Sequence, residues 1–162
     1  MKWTALRAIL KHLRDILLLP LPVTCLIPLA VYRYTPEYIP DFLPVKIMGL
    51  VLFSLGVMLF CWSLFLFEKK GRGTLAPWSP KEKLITTGPY RFCRNPMTGG
   101  ILLILVAEGL FFRSAPILIW AALFFILNFL FCKFREEPYL EKKFGATYQH
   151  YKSKVPGWWP KI

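Results

Sequence analysis

An all-α integral membrane protein is the fold class this sequence predicts, with about four transmembrane helices, a C-terminal helical hairpin and an amphipathic tail helix. Three observations predict it. The 162 residues are 56% hydrophobic yet carry a formal net charge of +12. The charges are segregated: four stretches are nearly or wholly free of them, and the basic residues lie between and after those stretches. One stretch, residues 47–67, runs 21 residues without a charge, which at a helical rise of about 1.5 Å per residue roughly spans a bilayer core. Nucleic-acid binding is the other reading of a basic chain. It ranks low, because the basic residues flank apolar spans and form no separate soluble face. The length suits a single domain, 1–162.

The elements follow in order. "MKWTALRAILKHLRD" interleaves Trp3, Leu6, Ile9, Leu10 and Leu13 with Lys2, Arg7, Lys11 and Arg14, a spacing that suits a helix lying in the membrane interface. A charge-free run at 16–32 is the first span, bent by Pro20, Pro22 and Pro28. A signal peptide is the rival reading; the run is long for one, and no small-x-small cleavage site follows it. The second span, 47–67, carries Gly49, Gly56 and Ser63 at heptad intervals. This small-residue stripe suits either intramolecular packing or a dimer. A basic loop (68–96) leads to spans at about 99–112 and 115–133, with Arg113, Ser114 and Pro116 as the turn of a hairpin. In the tail, Leu140, Phe144, Tyr148 and Tyr151 fall on one face of a helix. That helix is expected on the membrane surface, ending in the aromatic anchor Trp158-Trp159; Trp78 reads as another interfacial anchor.

Charge sets the expected topology. The N-terminus, the 68–96 loop and the tail carry four, seven and seven Lys or Arg, against two in the 33–46 connection and one at the 113 turn. The positive-inside rule places both termini and the long loop in the cytoplasm. "GPYRFCRNPMTGG" (88–100) and "REEPYL" (135–140) then lie on the same side, at opposite ends of one hairpin, where they can face each other. The four cysteines (Cys25, Cys61, Cys93, Cys132) form no CxxC pair, and the two histidines (His12, His150) stand far apart, so no metal site is expected.

Charges near membrane depth are costly and tend to be paired or functional. Arg91, Arg94, Glu108, Arg135, Glu136 and Glu137 stand close to two adjoining spans. Arg94 and the glutamates suit interfacial salt bridges. Equally, an Arg and a Glu in one cleft suit a zwitterion, the Arg forking onto a carboxylate and the Glu accepting from an ammonium. Glu108 lies roughly 12 Å into its helix from Gly100. A buried interhelical hydrogen bond is favoured for it over a general-base role, and Asn128 reads as another interhelical bond. Cys93 reads as a small packing residue.

"GPYRFCRNPMTGG", a hydrophobic hairpin, then "EEPYLEKKFGATYQHYKSKVPGWWP" resembles the isoprenylcysteine carboxyl methyltransferase family, and is similar to the related phospholipid methyltransferases. The resemblance covers roughly residues 70–160. It implies a membrane enzyme that uses S-adenosylmethionine (SAM), bound at the cytoplasmic face. By that resemblance Tyr90, Arg94, Asn95, Pro96, Met97, Gly99, Gly100, Glu136 and Glu137 bind the cofactor. Arg135 and Glu136 are the expected catalytic residues, Arg135 as the candidate for orienting an anionic acceptor. Asn95 stands where the prenylcysteine enzymes have His, and Thr98 where Tyr is usual.

Methyl transfer from SAM is an in-line displacement at a carbon activated by a sulfonium, so positioning and exclusion of water are what the protein must supply. A chain without a Ser/His/Asp set or a metal cluster suits that chemistry. The expected partners are the lipid bilayer and a lipophilic methyl acceptor entering between helices; an isoprenylcysteine-like carboxylate is favoured over a phospholipid amine or a small thiol. The competing classes are an NADPH-dependent membrane reductase, for which 162 residues is short, and a non-catalytic membrane subunit.

Overall fold

The computed structural model describes residues 21–35, 42–67, 69 and 83–158, and among them every regular element is helical. The expected interfacial helix at 1–15, the start of the first span, most of the basic loop, Trp78 and Trp159 lie outside the described residues. A π turn, Pro22–Leu26, leads into α1, Ile27–Tyr34. Next come α2, Leu43–Leu66, and a short 3₁₀ turn, Gly88–Arg91. The hairpin is α3, Pro96–Phe111, and α4, Ala115–Phe131. A second π turn, Cys132–Glu136, joins α4 to α5, Glu137–Phe144, and α6 is Ala146–Lys154.

Prolines explain both π turns. Proline has no N–H and its ring crowds the carbonyl four residues back. Pro28 and Pro138 each follow a π turn by two residues, and in each the preceding chain widens by one residue: the Ile27 N–H goes to Pro22 O, and the Glu137 N–H goes to Cys132 O. The widening frees Val23 O, whose partner five residues on would be Pro28. The Trp120 indole N–H donates to it at 3.2 Å and fastens the first segment to α4.

Among the described residues two helices are long and apolar enough to cross a membrane: Leu43–Leu66, 24 residues, and the continuous helix Ala115–Phe144, 30 residues. Only 17% of the apolar window of each is buried. Leu50, Val51, Ile119, Ile126 and Leu127 are among the large apolar side chains that point outward. That is an inside-out surface suited to lipid. At 16 residues α3 is shorter. It is also the most enclosed helix, lying between α2 and α4.

The small-residue stripe is spent inside the chain. Gly49, Gly56 and Ser63 are buried. A Cβ on Gly56 would stand 2.9 Å from Gly100 O, and one on Gly49 would stand 3.1 Å from Ala107 O. Of the two uses the sequence leaves open, packing against α3 is the one present.

The hairpin turn forms as expected at Arg113–Ser114. The Ser114 N–H reaches back to Gly109 O (2.9 Å) and the Arg113 N–H to Leu110 O (3.3 Å), with Arg113 at φ 56°. This is a Schellman ending, with an arginine in the left-handed position that glycine usually fills.

The tail departs from expectation. It is two helices, not one, because Gly145 adopts φ 52°, where only glycine is unstrained. Leu140, Tyr148 and Tyr151 still converge, packing with Val155, Leu84 and Phe144 of the chain itself. Asn128 is also corrected: its side-chain N–H donates to Phe124 O of its own helix (2.8 Å), not across helices.

Candidate active site

The segment 88–96 is held from both ends. Gly88, at φ 62°, turns the chain against Leu66 at the end of α2. Tyr90 then points inward and packs with Phe67, Ile85 and Met97. Its carbonyl accepts the Tyr151 hydroxyl at 2.6 Å. At the other end the chain pairs with the C-terminal strap. The Arg94 N–H donates to Pro156 O (2.9 Å), and both the backbone N–H and the side-chain amide of Asn95 donate to Gly157 O (3.2 and 3.3 Å).

This framework carries Arg94 to Glu137. The guanidinium donates through Nη1 to Glu137 Oε1 at 2.7 Å and to the Tyr148 hydroxyl at 3.0 Å. The two charged side chains are only 13% and 19% exposed. Lys152 Nζ completes the network, 2.7 Å from Glu137 Oε2 and 2.8 Å from Glu141 Oε1. Burial opposes the Arg94 charge, but Glu137 and Tyr148 outweigh it, so its pKa lies above the ordinary value. Lys152 is raised chiefly by its hydrogen bonds to the two glutamates. The π turn adds Glu136, whose Oε2 accepts from Cys132 Sγ at 3.4 Å. Burial first, and then Glu136, pushes the Tyr90 phenol well up. Burial likewise raises Tyr148 and Tyr151.

Two spaces flank the 88–96 segment, one on each side. Tyr90, Arg94 and Asn95 face a polar cleft closed by Glu136, Glu137 and Tyr148. With Arg94 and Glu137 in contact this cleft is tight, about 20 Å³, room for about one water. Pro89, Phe92, Cys93 and Pro96 face an apolar cavity of about 400 Å³ between α2, α3 and α4. Trp158 closes one side of it, its ring 5.2 Å from Phe125 and 6.4 Å from Phe129. Trp158 is thus a cavity wall. Burial pushes the Cys93 thiol pKa up, against the pull of the Asn95 N–H and Arg94, in keeping with a packing role.

The structure brings together Tyr90, Arg94, Asn95, Glu136 and Glu137 in the polar cleft. It does not bring the whole predicted set there. Pro96 and Gly99 line the apolar cavity, and Met97 packs behind Tyr90. Gly100 is buried against Gly56 and Phe60 of α2. Arg135 is exposed and lines neither space. Glu108 also lines neither, and its Oε2 is buried without a hydrogen-bond partner, so the expected interhelical bond is missing from that oxygen. Tyr148, Lys152 and the Pro156–Gly157 strap are contributors that sequence reasoning missed. The advance signs of Tyr148 were its place on the tail's apolar face and within the second motif block.

Could this cleft hold a donor with an amino acid end? The chemistry fits. Arg94 offers a carboxylate partner and Glu137 an ammonium partner. Arg94 Nε is buried and has no hydrogen-bond partner, an unmet donor on a residue that lines the cleft. Such a ligand would have to exchange the Arg94–Glu137 contact for its own.

A helical chain exposing apolar faces, with a charged cleft at one end of a hairpin, defines a membrane protein with a small polar site at its rim. The chain belongs to the phospholipid methyltransferase family, whose model matches residues 45–147. That is a family of membrane methyltransferases, and the match bears out the resemblance carried by the two motif blocks. A comparison with curated proteins finds no match.

Proposed function

We propose that the chain is a SAM-dependent methyltransferase acting on a lipophilic acceptor at the cytoplasmic membrane face. One observation carries the reading: a single segment, 88–96, forms a wall of both a charged cleft and an apolar cavity. A donor on one side and a hydrocarbon tail on the other need only meet at the edge of that wall. SAM, when bound, supplies a methyl group already activated by its sulfonium. The chain's own work is to hold and to shield. Arg94 pairs the donor's carboxylate, Glu137 its ammonium, and Tyr148 keeps the guanidinium in place. The apolar lining keeps water from the acceptor side. The same reading has four membrane crossings, with both termini and the cleft on the cytoplasmic side.

The acceptor class follows from what the cavity lacks. Among the described residues that line it, none is a carboxylate or an imidazole, and burial pushes the pKa of its one thiol up. An amine or thiol acceptor must lose a proton; a carboxylate need not. An isoprenylcysteine-like carboxylate is therefore favoured. The matched family's description supports a phospholipid amine as the second reading, with Glu136 in the cleft as the proton acceptor. Turnover of methyl-labelled SAM with isoprenylcysteine analogues and extracted membrane lipids, followed by mass identification of the product, decides. A carboxyl methyl ester supports the first reading, an N-methylated lipid overturns it in favour of the second, and no labelled product overturns both.

A further inference from the structure

The two adjacent glycines near the start of α3 face different neighbours. A Cβ on Gly100 would stand 2.9 Å from Gly56 O and from Phe60 N, so α2 closes that position. A Cβ on Gly99 would meet nothing within 4 Å, and Gly99 lines the apolar cavity. Its φ lies outside the left-handed region, so a side chain there strains no backbone, and most would favour the helix. Pro96, Gly99 and Leu103 stand three and four residues apart, the spacing of one helix face. That face forms the α3 wall of the cavity. Its two neighbours fill space; position 99 leaves space.

We propose that Gly99 is the specificity-determining residue of the acceptor cavity: its missing side chain leaves the volume that admits a bulky hydrocarbon tail. The inference rests on reading this cavity as the acceptor site. The occupant is the tail of a lipophilic acceptor, because the matched family is one of lipid methyltransferases and the surrounding walls are apolar side chains from three helices. A side chain at position 99 would enter the volume that the tail needs. Mismatch of a single methylene in a hydrophobic pocket already discriminates by roughly 10–200-fold.

The test uses the full-length protein in nanodiscs and a series of N-acetyl-S-alkylcysteines with tails from hexyl to octadecyl. Equilibrium binding and methyl transfer are both measured for wild type, Gly99→Ala and Gly99→Leu. The expected result is a stepwise shift of the preferred tail toward shorter chains. Gly99→Leu should lose at least about tenfold in long-tail affinity relative to short-tail affinity, with SAM binding retained. An identical tail preference in all three proteins overturns the inference, as does a wild type that binds none of the tails. If the tails bind with the shifted preference but no methyl group is transferred to any of them, the cysteine-carboxylate acceptor reading fails and the role of Gly99 stands. Thermal unfolding separates a folding defect from altered preference: a Gly99→Leu protein with a wild-type melting temperature and unaltered tail preference is decisive against the proposal.

Discussion

Replacing Glu137 by alanine removes one carboxylate that serves two cations. Its Oε1 lies 2.7 Å from Arg94 Nη1 and its Oε2 lies 2.7 Å from Lys152 Nζ. The Arg94 contact is largely enclosed, whereas Lys152 is 37% exposed and keeps Glu141. The Lys152 share is therefore that of a surface pair, about 0–1 kcal/mol. The enclosed charge-assisted bond is worth about 1.5–3 kcal/mol. If the same carboxylate receives the donor's ammonium, SAM affinity should fall by about 10- to 150-fold. Isothermal calorimetry on Glu137→Ala reads the affinity, and a thermal melt in the same detergent reads the stability. Glu137→Gln keeps the shape and one acceptor oxygen, so it should recover part of the stability without recovering the ammonium affinity. Glu141→Ala touches only the exposed pair and should leave SAM binding within about twofold, the small effect expected of a surface ion pair. A Glu137→Ala protein that melts earlier yet binds SAM as wild type does would show the Arg94–Glu137 pair to be purely structural, and the assignment of the cleft would fall.

Further predictions concern the frame around the cleft. Gly100→Ala should destabilise the protein by about 1–3 kcal/mol in thermal melts, because the new Cβ meets backbone on α2 at 2.9 Å and the helices must part. Tyr151→Phe strips the 2.6 Å bond from the Tyr90 carbonyl and should cost about 1–2 kcal/mol in chemical denaturation, with a looser cleft. Alkaline stability should fall in a defined window. Tyr90, Tyr148 and Tyr151 all have folded-state pKa values raised above their ordinary value of 10.0, mainly by burial. Stability is then fully present below pH 10.0 and lost as pH rises beyond it, because the unfolded chain releases those protons first. Tyrosine absorbance titrated alongside circular dichroism should show a phenolate step that coincides with unfolding; all seven tyrosines ionising in the intact fold would contradict the burial argument. Trp158→Ala removes ring contacts to Phe125 and Phe129, together about 1–3 kcal/mol, and should raise the acceptor KM while leaving the SAM Kd alone.

Much of the site was legible because it depends on chain path more than on packing detail. Arg94 and Glu137 lie 43 residues apart. An apolar hairpin with its turn at Arg113–Ser114 has to return the second to the level of the first. The heptad glycines of α2 were equally readable as a close-approach face. What stayed hidden concerned which side of an element faces which neighbour. Gly99 and Gly100 are indistinguishable as letters, yet one is open and the other is closed by α2. The apolar face of the tail is real, but apolarity alone does not say whether lipid or protein covers it. Asn128 satisfies itself within its own helix, an option that any mid-helix asparagine has.

Composition and order along the chain were enough to read the helical class, the long apolar helices and the two blocks that meet at one end of the hairpin. Those properties follow from local periodicity and from the cost of moving charge into hydrocarbon, and each is a sum over neighbouring residues. The break at Gly145, the latch between Asn95 and the Pro156–Gly157 strap, and the division of one segment between a charged cleft and an apolar cavity were decided by the tertiary structure alone. A helix has no inside until something packs against it, and a backbone N–H has no assigned partner until a distant strand of chain brings one.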